Sequence, residues 1–462
     1  MALPLGGVVA VGSDGRERQL DASQVERDTL RAAAALARTG VAPGDRVLVR
    51  LPKRYEWLLA LGALYRLGAV AVLCPELTPE AELTARARQL GARVSLLEPR
   101  DVALADSQAP AHAPGADAPA FVIFTSGSTG EPKAAVHARR YVRANWLQTV
   151  HWMGVQPGDR VWCTAGTGWA KSLRNTWLAP WLRGAETVLH EGRFDPDERL
   201  RLIARLRPAV LCMSPTEFRL CAKSAEFERA DLSSVREVVA AGEPLGADVL
   251  ERYRKLHGLR IRDGYGQTEI GAVAGVMRGD DSPPGSLGAP LDGVDLRLDG
   301  SGELLVRAAS VPTFFLGYLD ATGSQEAAAL EDGWWRTGDR AYHDDEGRLW
   351  FQGRADDVII SAGYRIGPVE VESALGSHPA VLEAAAIARP DAERGHVVHA
   401  VIVLQPGAVP SEALTVELQT HCKRVASPIK YPRSIASAAT LPKTESGKIL
   451  RSQLREQFVE AP

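Results

Sequence analysis

Apolar and polar positions alternate along the first hundred residues in a way that predicts helices and strands in turn. Residues 24–38 and 55–67 carry apolar side chains at helical spacing. Residues 46–51 and 69–73 are short apolar runs, which are typical of buried strands. Repeated helix and strand units of this kind predict a mostly parallel sheet covered by helices, which is an α/β fold.

Punctuating residues indicate where these elements begin and end. Gly68 should end the second helix, and Gly91 should end a third. Thr78 is the expected N-cap of that third helix, with Pro79 at its first helical position. The Pro/Ala/Gly-rich stretch 107–119 then predicts a connector on the surface.

Later parts of the chain change character twice. A helical pattern covers 141–151, the α/β alternation continues to about 275, and short strand patterns between Gly, Pro and Asp turns fill 280–350. Residues 354 onward predict, in order, a helix at 368–375, strands at 382–387 and 397–404, and a helix at 412–423. We therefore predict an α/β protein. Its large N-terminal domain has mostly parallel sheets and a small β-subdomain, and its C-terminal domain is small and α+β.

Composition narrows the class of protein. The 462-residue chain is 45% hydrophobic and 24% charged, with room for two or three core units. Its 54 Lys and Arg nearly balance 57 Asp and Glu, so the net charge of −3 gives no basic footprint for nucleic acid. The five cysteines show no CxxC spacing, and the N-terminus shows neither a leader nor a membrane span. We expect a cytoplasmic protein without nucleic-acid or membrane partners.

The stretch FTSGSTGEPK at 124–133 packs small donors together. Small residues let backbone N–H groups approach phosphate oxygens, hydroxyls add donors, and a lysine adds charge. A flexible surface loop is the alternative, but the apolar strand pattern at 120–124 leads directly into the stretch. It is not a P-loop, because G-K-[S/T] is absent. The predicted phosphate-binding residues are Thr125, Ser126, Gly127, Ser128, Thr129, Gly130 and Lys133.

Further polar stretches follow in a fixed order. They are AGEP at 241–244, DGYGQTE at 263–269, TGD at 337–339, GRADDVIISAGYRIGPVEVE at 353–372 and LPKTESGKILR at 441–451. Taken singly, YGQTE is equally well explained as a loop and TGD as a turn. Together they resemble the adenylate-forming superfamily over about residues 40–454. Several short motifs are similar to those of its medium-chain acyl-CoA synthetase branch, which is related to acetyl-CoA synthetase. They are TGWAKS, FDP, AGEPL, YGQTE, GYRIGP and IKYPR.

This resemblance implies an ATP-dependent acid–CoA ligase. ATP converts a carboxylate into an acyl-adenylate with release of pyrophosphate, and the thiol of coenzyme A then takes the acyl group. Both transition states concentrate negative charge, so the site needs fixed donors, Mg²⁺ and a mobile cation. The implied substrate is a medium-chain, branched or aromatic acid. Two alternatives stay open: transfer to a carrier protein or another nucleophile, and a non-catalytic nucleotide-binding protein.

The resemblance also assigns roles to residues of the nucleotide site. Thr268 would touch the α-phosphate, Glu269 would hold Mg²⁺ with Thr125 as a second metal contact, and Lys448 would be the catalytic lysine. Tyr265 would stack on adenine and Asp339 would bind the ribose hydroxyls. The remaining implied nucleotide contacts are Gly242, Glu243, Pro244, Asp263, Gly264, Gly266, Gln267 and Arg354.

An apolar acyl pocket is implied near Trp169, Met213 and Gly266. Acetate-activating relatives place a tryptophan at the Gly266 position, so a glycine there is expected to leave open space for a longer or ring-bearing acid. The alternative is that Gly266 serves only the backbone conformation.

The C-terminal domain is implied to rotate about a hinge at Asp356, which divides the chain into 1–355 and 356–462. Lys448 would face the site for adenylation, and the 361–365 stretch would replace it for thioester formation. Gly363, Tyr364 and Arg365 would then line the pantetheine channel, where a glycine leaves room for the thiol arm. A homodimer and a carrier-protein partner remain open.

Overall fold

The computed structural model describes residues 5–109, 112, 114–126, 132–243, 245–443 and 449–459. In chain order the first elements are β1 (Val8–Val11), β2 (Glu17–Leu20), α1 (Ala22–Arg38), β3 (Arg46–Val49), α2 (Tyr55–Leu67), β4 (Val70–Leu73), α3 (Glu80–Leu90), β5 (Val94–Leu96), β6 (Pro119–Ser126), β7 (Pro132–Ala138), α4 (Tyr141–Ala144), β8 (Arg160–Cys163), α5 (Ala170–Ser172), α6 (Ala179–Leu182), β9 (Glu186–His190), α7 (Pro196–Leu206), β10 (Val210–Met213), α8 (Pro215–Lys223), β11 (Glu237–Ala241), α9 (Ala247–His257), β12 (Ile261–Gln267) and β13 (Gly271–Gly275).

The next elements are strands, and helices return in the C-terminal domain. They are β14 (Ala289–Pro290), β15 (Leu296–Leu298), β16 (Glu303–Arg307), β17 (Gly317–Leu319), β18 (Gln325–Glu326), β19 (Trp334–His343), β20 (Leu349–Arg354), β21 (Ile359–Ser361), β22 (Tyr364–Ile366), α10 (Pro368–Gly376), β23 (Val381–Asp391), β24 (Gly395–Leu404), α11 (Glu412–Val425), β25 (Ser434–Ser437) and α12 (Arg451–Phe458). The α/β fold with a large N-terminal and a small C-terminal domain is confirmed.

In the described residues the strands form four sheets. The largest has the order β14-β13-β12-β11-β10-β8-β9-β1-β2, and the second has the order β18-β17-β7-β6-β4-β3-β5. A third sheet, β15-β16-β19-β20, lies in the region with short strand patterns. The fourth, β22-β21-β24-β23 with β25 beside β24, belongs to the C-terminal domain.

Helix ends follow the predicted punctuation with two differences. Gly68 and Gly91 adopt left-handed conformations at the ends of α2 and α3, as predicted. The helix α3 begins at Glu80 with Pro79 as its N-cap, one residue later than predicted. The predicted helix at 141–151 is instead the short α4 followed by a π-helical turn, Gln148–Trp152.

The large sheet brings the starts of two of the polar stretches, AGEP and DGYGQTE, to one edge. The strands β10, β11 and β12 run parallel, with Met213 beside Ala240 and Ala241 beside Gly264. Their carboxyl ends therefore meet at a common edge, where ligands bind in open α/β sheets. Within the described ranges, no helix combines the length and the apolar composition needed to cross a membrane.

Candidate active site

Four residues predicted for the nucleotide site meet around one buried carboxylate. Asp339, in the middle of β19, is 6% exposed. Its Oδ2 accepts from the Tyr265 hydroxyl at 2.6 Å and from Gln267 Nε2 at 2.8 Å. Its Oδ1 accepts from Arg354 Nη1 at 3.3 Å. Burial, followed by the negative charge of Asp339, raises the pKa of Tyr265, so its hydroxyl stays a donor.

A second layer of contacts fixes these donors. Gln267 Nε2 also donates to the Thr337 carbonyl at 2.7 Å, and Arg354 Nη1 donates to the same carbonyl at 3.0 Å. The Trp335 indole N–H donates to Gln267 Oε1 at 3.2 Å, which fixes the orientation of the amide. Sequence reasoning did not identify Trp335. The available signal was the Trp-Trp pair at 334–335, one residue before TGD.

Glu269 has the surroundings of a cation-binding carboxylate. It is buried, and its Oε1 accepts from the Tyr318 hydroxyl at 2.7 Å. Among the described residues no basic side chain lies within ion-pair distance of it. Lys133 Nζ lies 5.5 Å from the centre of the Tyr318 ring, which places a predicted phosphate-binding lysine beside this carboxylate.

The Glu269 carboxylate fits a hard cation whose other ligands are mostly water molecules and phosphate oxygens. Mg²⁺ in nucleotide sites usually takes only one or two carboxylates from the protein. The described part of the chain has no cluster of three His, Cys, Asp or Glu that would form an all-protein cage. Glu269, with Thr125 of β6 as the sequence predicts, would therefore be an adequate protein contribution.

The loop after β11 is fixed by helix α8. Glu243 Oε2 accepts from Thr216 Oγ1 at 2.9 Å and from Arg219 Nη2 at 3.5 Å. Gly242 has φ +102°, a conformation that L side chains rarely adopt. Neither Thr216 nor Arg219 was predicted from the sequence, because helical periodicity does not indicate which loop a helix will contact.

Gly266 does not leave open space on its side-chain side. A Cβ built on it would lie 2.0 Å from the Gly271 carbonyl oxygen and 2.9 Å from Ala272 Cα. The register between β12 and β13 shifts between Tyr265 and Gly266, and this bulge turns the Cα hydrogens of Gly266 toward β13. The expectation of an open pocket at this position is therefore wrong. The glycine is required by the close approach of two strands.

The Lys171 ammonium, which was not predicted, lies in the region expected to hold the acyl group. Lys171 Nζ donates to the Met213 carbonyl at 2.9 Å and to the Ala241 carbonyl at 3.1 Å, at the ends of β10 and β11. Trp169 caps the short helix α5 that carries Lys171. Nearby, burial raises the pKa of Asp263 to about 7, while the Gly264 N–H and the Lys171 ammonium oppose that rise. The predicted pocket therefore has a polar wall as well as the apolar Met213.

The two sides of the predicted hinge belong to different networks. Arg354 is bonded to the N-terminal domain, as described above. Asp357 is paired with Arg451 at 3.4 Å and with Arg455 at 3.1 Å, both on α12 of the C-terminal domain. Asp356 lies between them and is exposed, and its side chain forms a 3.5 Å ion pair with Arg354 Nε.

The predicted CoA-channel residues lie away from the Asp339 cluster in this structure. Gly363 has φ +83°, and a Cβ built on it would meet no other atom within 4 Å. Tyr364 is 55% exposed, and Arg365 is exposed as well. These residues form the tip of the β21–β22 hairpin. The predicted site residues Gly127, Ser128, Thr129, Gly130, Pro244 and Lys448 lie outside the described residues, as does the side chain of Ser126.

Two family models together match most of the chain. Residues 6–319 match the AMP-binding enzyme family, and residues 370–448 match the AMP-binding enzyme C-terminal domain. The chain therefore belongs to the AMP-binding enzyme family. It is an AMP-forming acyl-CoA synthetase, an acid–thiol ligase that acts through an acyl-adenylate.

Relatives and solved structures agree with this assignment. The chain is 35% identical to the uncharacterized acyl-CoA ligase YtcI of Bacillus subtilis (strain 168), over 96% of this chain and 91% of that protein. It is 35% identical to the mitochondrial acyl-coenzyme A synthetase ACSM4 of Homo sapiens, over 90% of this chain and 80% of that protein. The anthranilate CoA ligase AuaEII in complex with anthranoyl-AMP superposes with a TM-score of 0.88 at 28% identity, covering 98% of this chain and 94% of that chain.

A benzoate CoA ligase from Burkholderia xenovorans LB400 superposes with a TM-score of 0.83 at 26% identity, covering 96% of each chain. Both structural neighbours are acid–CoA ligases, and the superposition covers nearly the whole length of each. The non-catalytic alternative is therefore set aside for this chain.

Proposed function

We propose that this ligase activates a medium-chain, branched or aromatic carboxylic acid and transfers the acyl group to coenzyme A. The observation that carries the proposal is the Asp339 cluster. In it Tyr265 and Gln267, at the carboxyl end of β12, and Arg354 converge on the Asp339 carboxylate of β19. The acid class is supported by the names of the relatives, which include an acyl-coenzyme A synthetase and two ligases for aromatic acids.

The hydrogen bonds around Asp339 suggest how the ribose is bound. A carboxylate offers about four acceptor positions. Oδ2 already accepts from Tyr265 and Gln267, whereas Oδ1 accepts, among the described residues, a single long bond from Arg354. We therefore place a ribose hydroxyl on Oδ1, with Tyr265 held in a fixed orientation for stacking on adenine. The side chains that hold Asp339 are fixed by hydrogen bonds within the protein, which favours a preorganised ribose site.

The phosphate chemistry is assigned to electrostatic stabilisation. Thr268 and the 125–133 stretch would bind phosphate oxygens, and Glu269, held by Tyr318, would provide the carboxylate for Mg²⁺. When bound, Mg²⁺ neutralises charge on the phosphate oxygens as pyrophosphate leaves. Lys448 would bridge the substrate carboxylate and the α-phosphate. None of these residues has to act as a strong acid or base.

The second half-reaction would use the rotated C-terminal domain. Arg354 and Asp357 are each paired within their own domain, which supports a hinge between them, at Asp356. Rotation there would bring Gly363 and Tyr364 from solvent to the site and would move Arg365 from the Ser301 carbonyl. We keep coenzyme A as the acceptor over a carrier protein. A cytoplasmic location also remains part of the proposal, and a homodimer stays open.

A substrate panel with product identification tests the acid and the acceptor together. The purified protein would be incubated with ATP, Mg²⁺, coenzyme A and one acid at a time: acetate, hexanoate, 2-methylbutyrate, benzoate or anthranilate. Mass spectrometry would identify acyl-CoA, and AMP would be measured in parallel. We expect acyl-CoA from at least one acid longer than propionate and little from acetate. Turnover confined to acetate would contradict the proposed acid class.

A further inference from the structure

Lys223 joins the two domains at a place away from the hinge. Lys223 ends helix α8 of the N-terminal domain, and its Nζ donates to the Val381 carbonyl at 2.7 Å and to the Leu382 carbonyl at 3.0 Å. Both acceptors lie at the start of β23 in the C-terminal domain. In the part of the chain that the structure describes, the only other side-chain hydrogen bond between the domains joins Arg365 and the Ser301 carbonyl, at 3.5 Å.

The acceptors are available because β23 begins with a bulge. The register between β23 and β24 shifts between Val381 and Glu383, so Leu382 is an extra residue without a direct partner on β24. A bulge leaves backbone groups outside the sheet ladder, and such groups need other partners. Lys223 supplies the partner from the other domain.

The two carbonyls are the hydrogen-bond acceptors of the Lys223 ammonium among the described residues. Its side chain is half-buried, and within the described ranges no carboxylate lies at ion-pair distance from its ammonium. Burial lowers the pKa of Lys223, and Arg219 lowers it further, whereas Asp248 and Glu383 oppose this from a greater distance. If the C-terminal domain turned away, the Lys223 ammonium would exchange both carbonyl acceptors for water, and the two carbonyls would need other partners.

The helix that carries Lys223 is itself fixed at the nucleotide site. Near its start, Thr216 and Arg219 donate to Glu243 in the loop after β11, and Ser214 with Glu217 forms a capping box. The helix therefore runs from the predicted adenine-binding loop to the C-terminal domain. A fixed helix makes Lys223 a defined anchor point for that domain.

The contact selects one orientation of the C-terminal domain. Lys443 Nζ pairs with Glu383 Oε1 at 2.6 Å, so the residue preceding 444–448 lies on the same edge as the carbonyls that Lys223 contacts. The segment predicted to face the site during thioester formation, the hairpin tip at Gly363 and Tyr364, is exposed to solvent. We propose that Lys223 is a positioning residue that holds the C-terminal domain in the orientation used for adenylation. This inference rests on the proposed two-step function.

The test compares the two half-reactions in the full-length protein. Acyl-adenylate formation would be measured in single turnover with ATP, Mg²⁺ and the best acid of the panel, and thioester formation would be measured from pre-made acyl-adenylate and coenzyme A. We expect Lys223→Met to slow adenylation about 10-fold, the factor for one charge-assisted hydrogen bond, and to leave thioester formation unchanged or faster. Lys223→Arg should recover most of the adenylation rate. Lys255→Met, at an exposed lysine of α9, is the matched control.

A measurement of domain orientation separates this inference from the proposed function. The five native cysteines are all buried, so fluorophores on Asp292→Cys and Val409→Cys, at exposed positions in the two domains, report the distance between domains without turnover. Lys223→Met should broaden the distance distribution. Equal loss of both half-reactions, no loss in either, or an unchanged distribution would overturn the inference. A wild-type protein that forms no adenylate would instead overturn the proposed function, while the distance measurement would still decide on Lys223.

Discussion

A buried carboxylate beside the candidate active site is expected to cost stability above neutral pH. Burial raises the pKa of Asp263 from 3.8 to about 7. Between these two values the folded protein keeps a proton that the unfolded chain has already lost, so the free energy of unfolding falls as pH rises. Above pH 7 both states are ionised and the cost is constant. A shift of about 3 units corresponds to about 4 kcal/mol.

Replacing Asp263 with asparagine removes this titration and little else. Asparagine keeps the oxygen that accepts from the Gly264 N–H, at 2.9 Å in the native protein. The stability of Asp263→Asn relative to the native protein should therefore rise by about 3 kcal/mol between pH 5 and pH 8, or about 5 °C in melting temperature. Thermal melts at one scan rate, without nucleotide, measure this, with the exposed Asp345→Asn as control. A difference that is constant with pH, or that grows toward acid, would refute the reasoning.

Three further predictions concern the reaction. Gly266→Ala should lose activity with every acid and melt at a lower temperature, because its Cβ would collide with the Gly271 carbonyl; retained activity with short acids would contradict this. Tyr318→Phe should raise the Mg²⁺ concentration needed for half-maximal adenylation about 10-fold, since Glu269 loses a hydrogen bond, and isothermal titration of Mg²⁺ with ATP present checks the same shift in binding. Lys448→Ala should slow adenylation by about 10²–10³ and spare thioester formation from pre-made acyl-adenylate; equal losses in both would reject its role.

The sequence was informative where one residue type dictates a local result. Gly68 and Gly91 end their helices because glycine reaches the left-handed conformation at low cost. Apolar runs predicted β3 and β4 to within two residues, because buried strands of a parallel sheet need apolar side chains on both faces. The order of the polar stretches likewise indicated the family before any geometry was known.

Contacts between distant residues could not be predicted in the same way. Tyr318 contacts Glu269 across 49 residues, and Lys223 contacts Val381 across 158 residues, and no local pattern indicates either pair. The Gly266 prediction failed for a related reason. A sequence does not reveal a bulge, and the bulge decides whether a side chain would point into a pocket or into a neighbouring strand.

Isotope exchange between pyrophosphate and ATP tests the central claim most directly. In the proposed mechanism the acid is activated as its adenylate before any thiol takes part. Labelled pyrophosphate should therefore enter ATP when the preferred acid and Mg²⁺ are present and coenzyme A is absent, and exchange should stop when the acid is omitted. Exchange that requires coenzyme A, or acid-dependent formation of ADP and phosphate in place of AMP and pyrophosphate, would contradict the account.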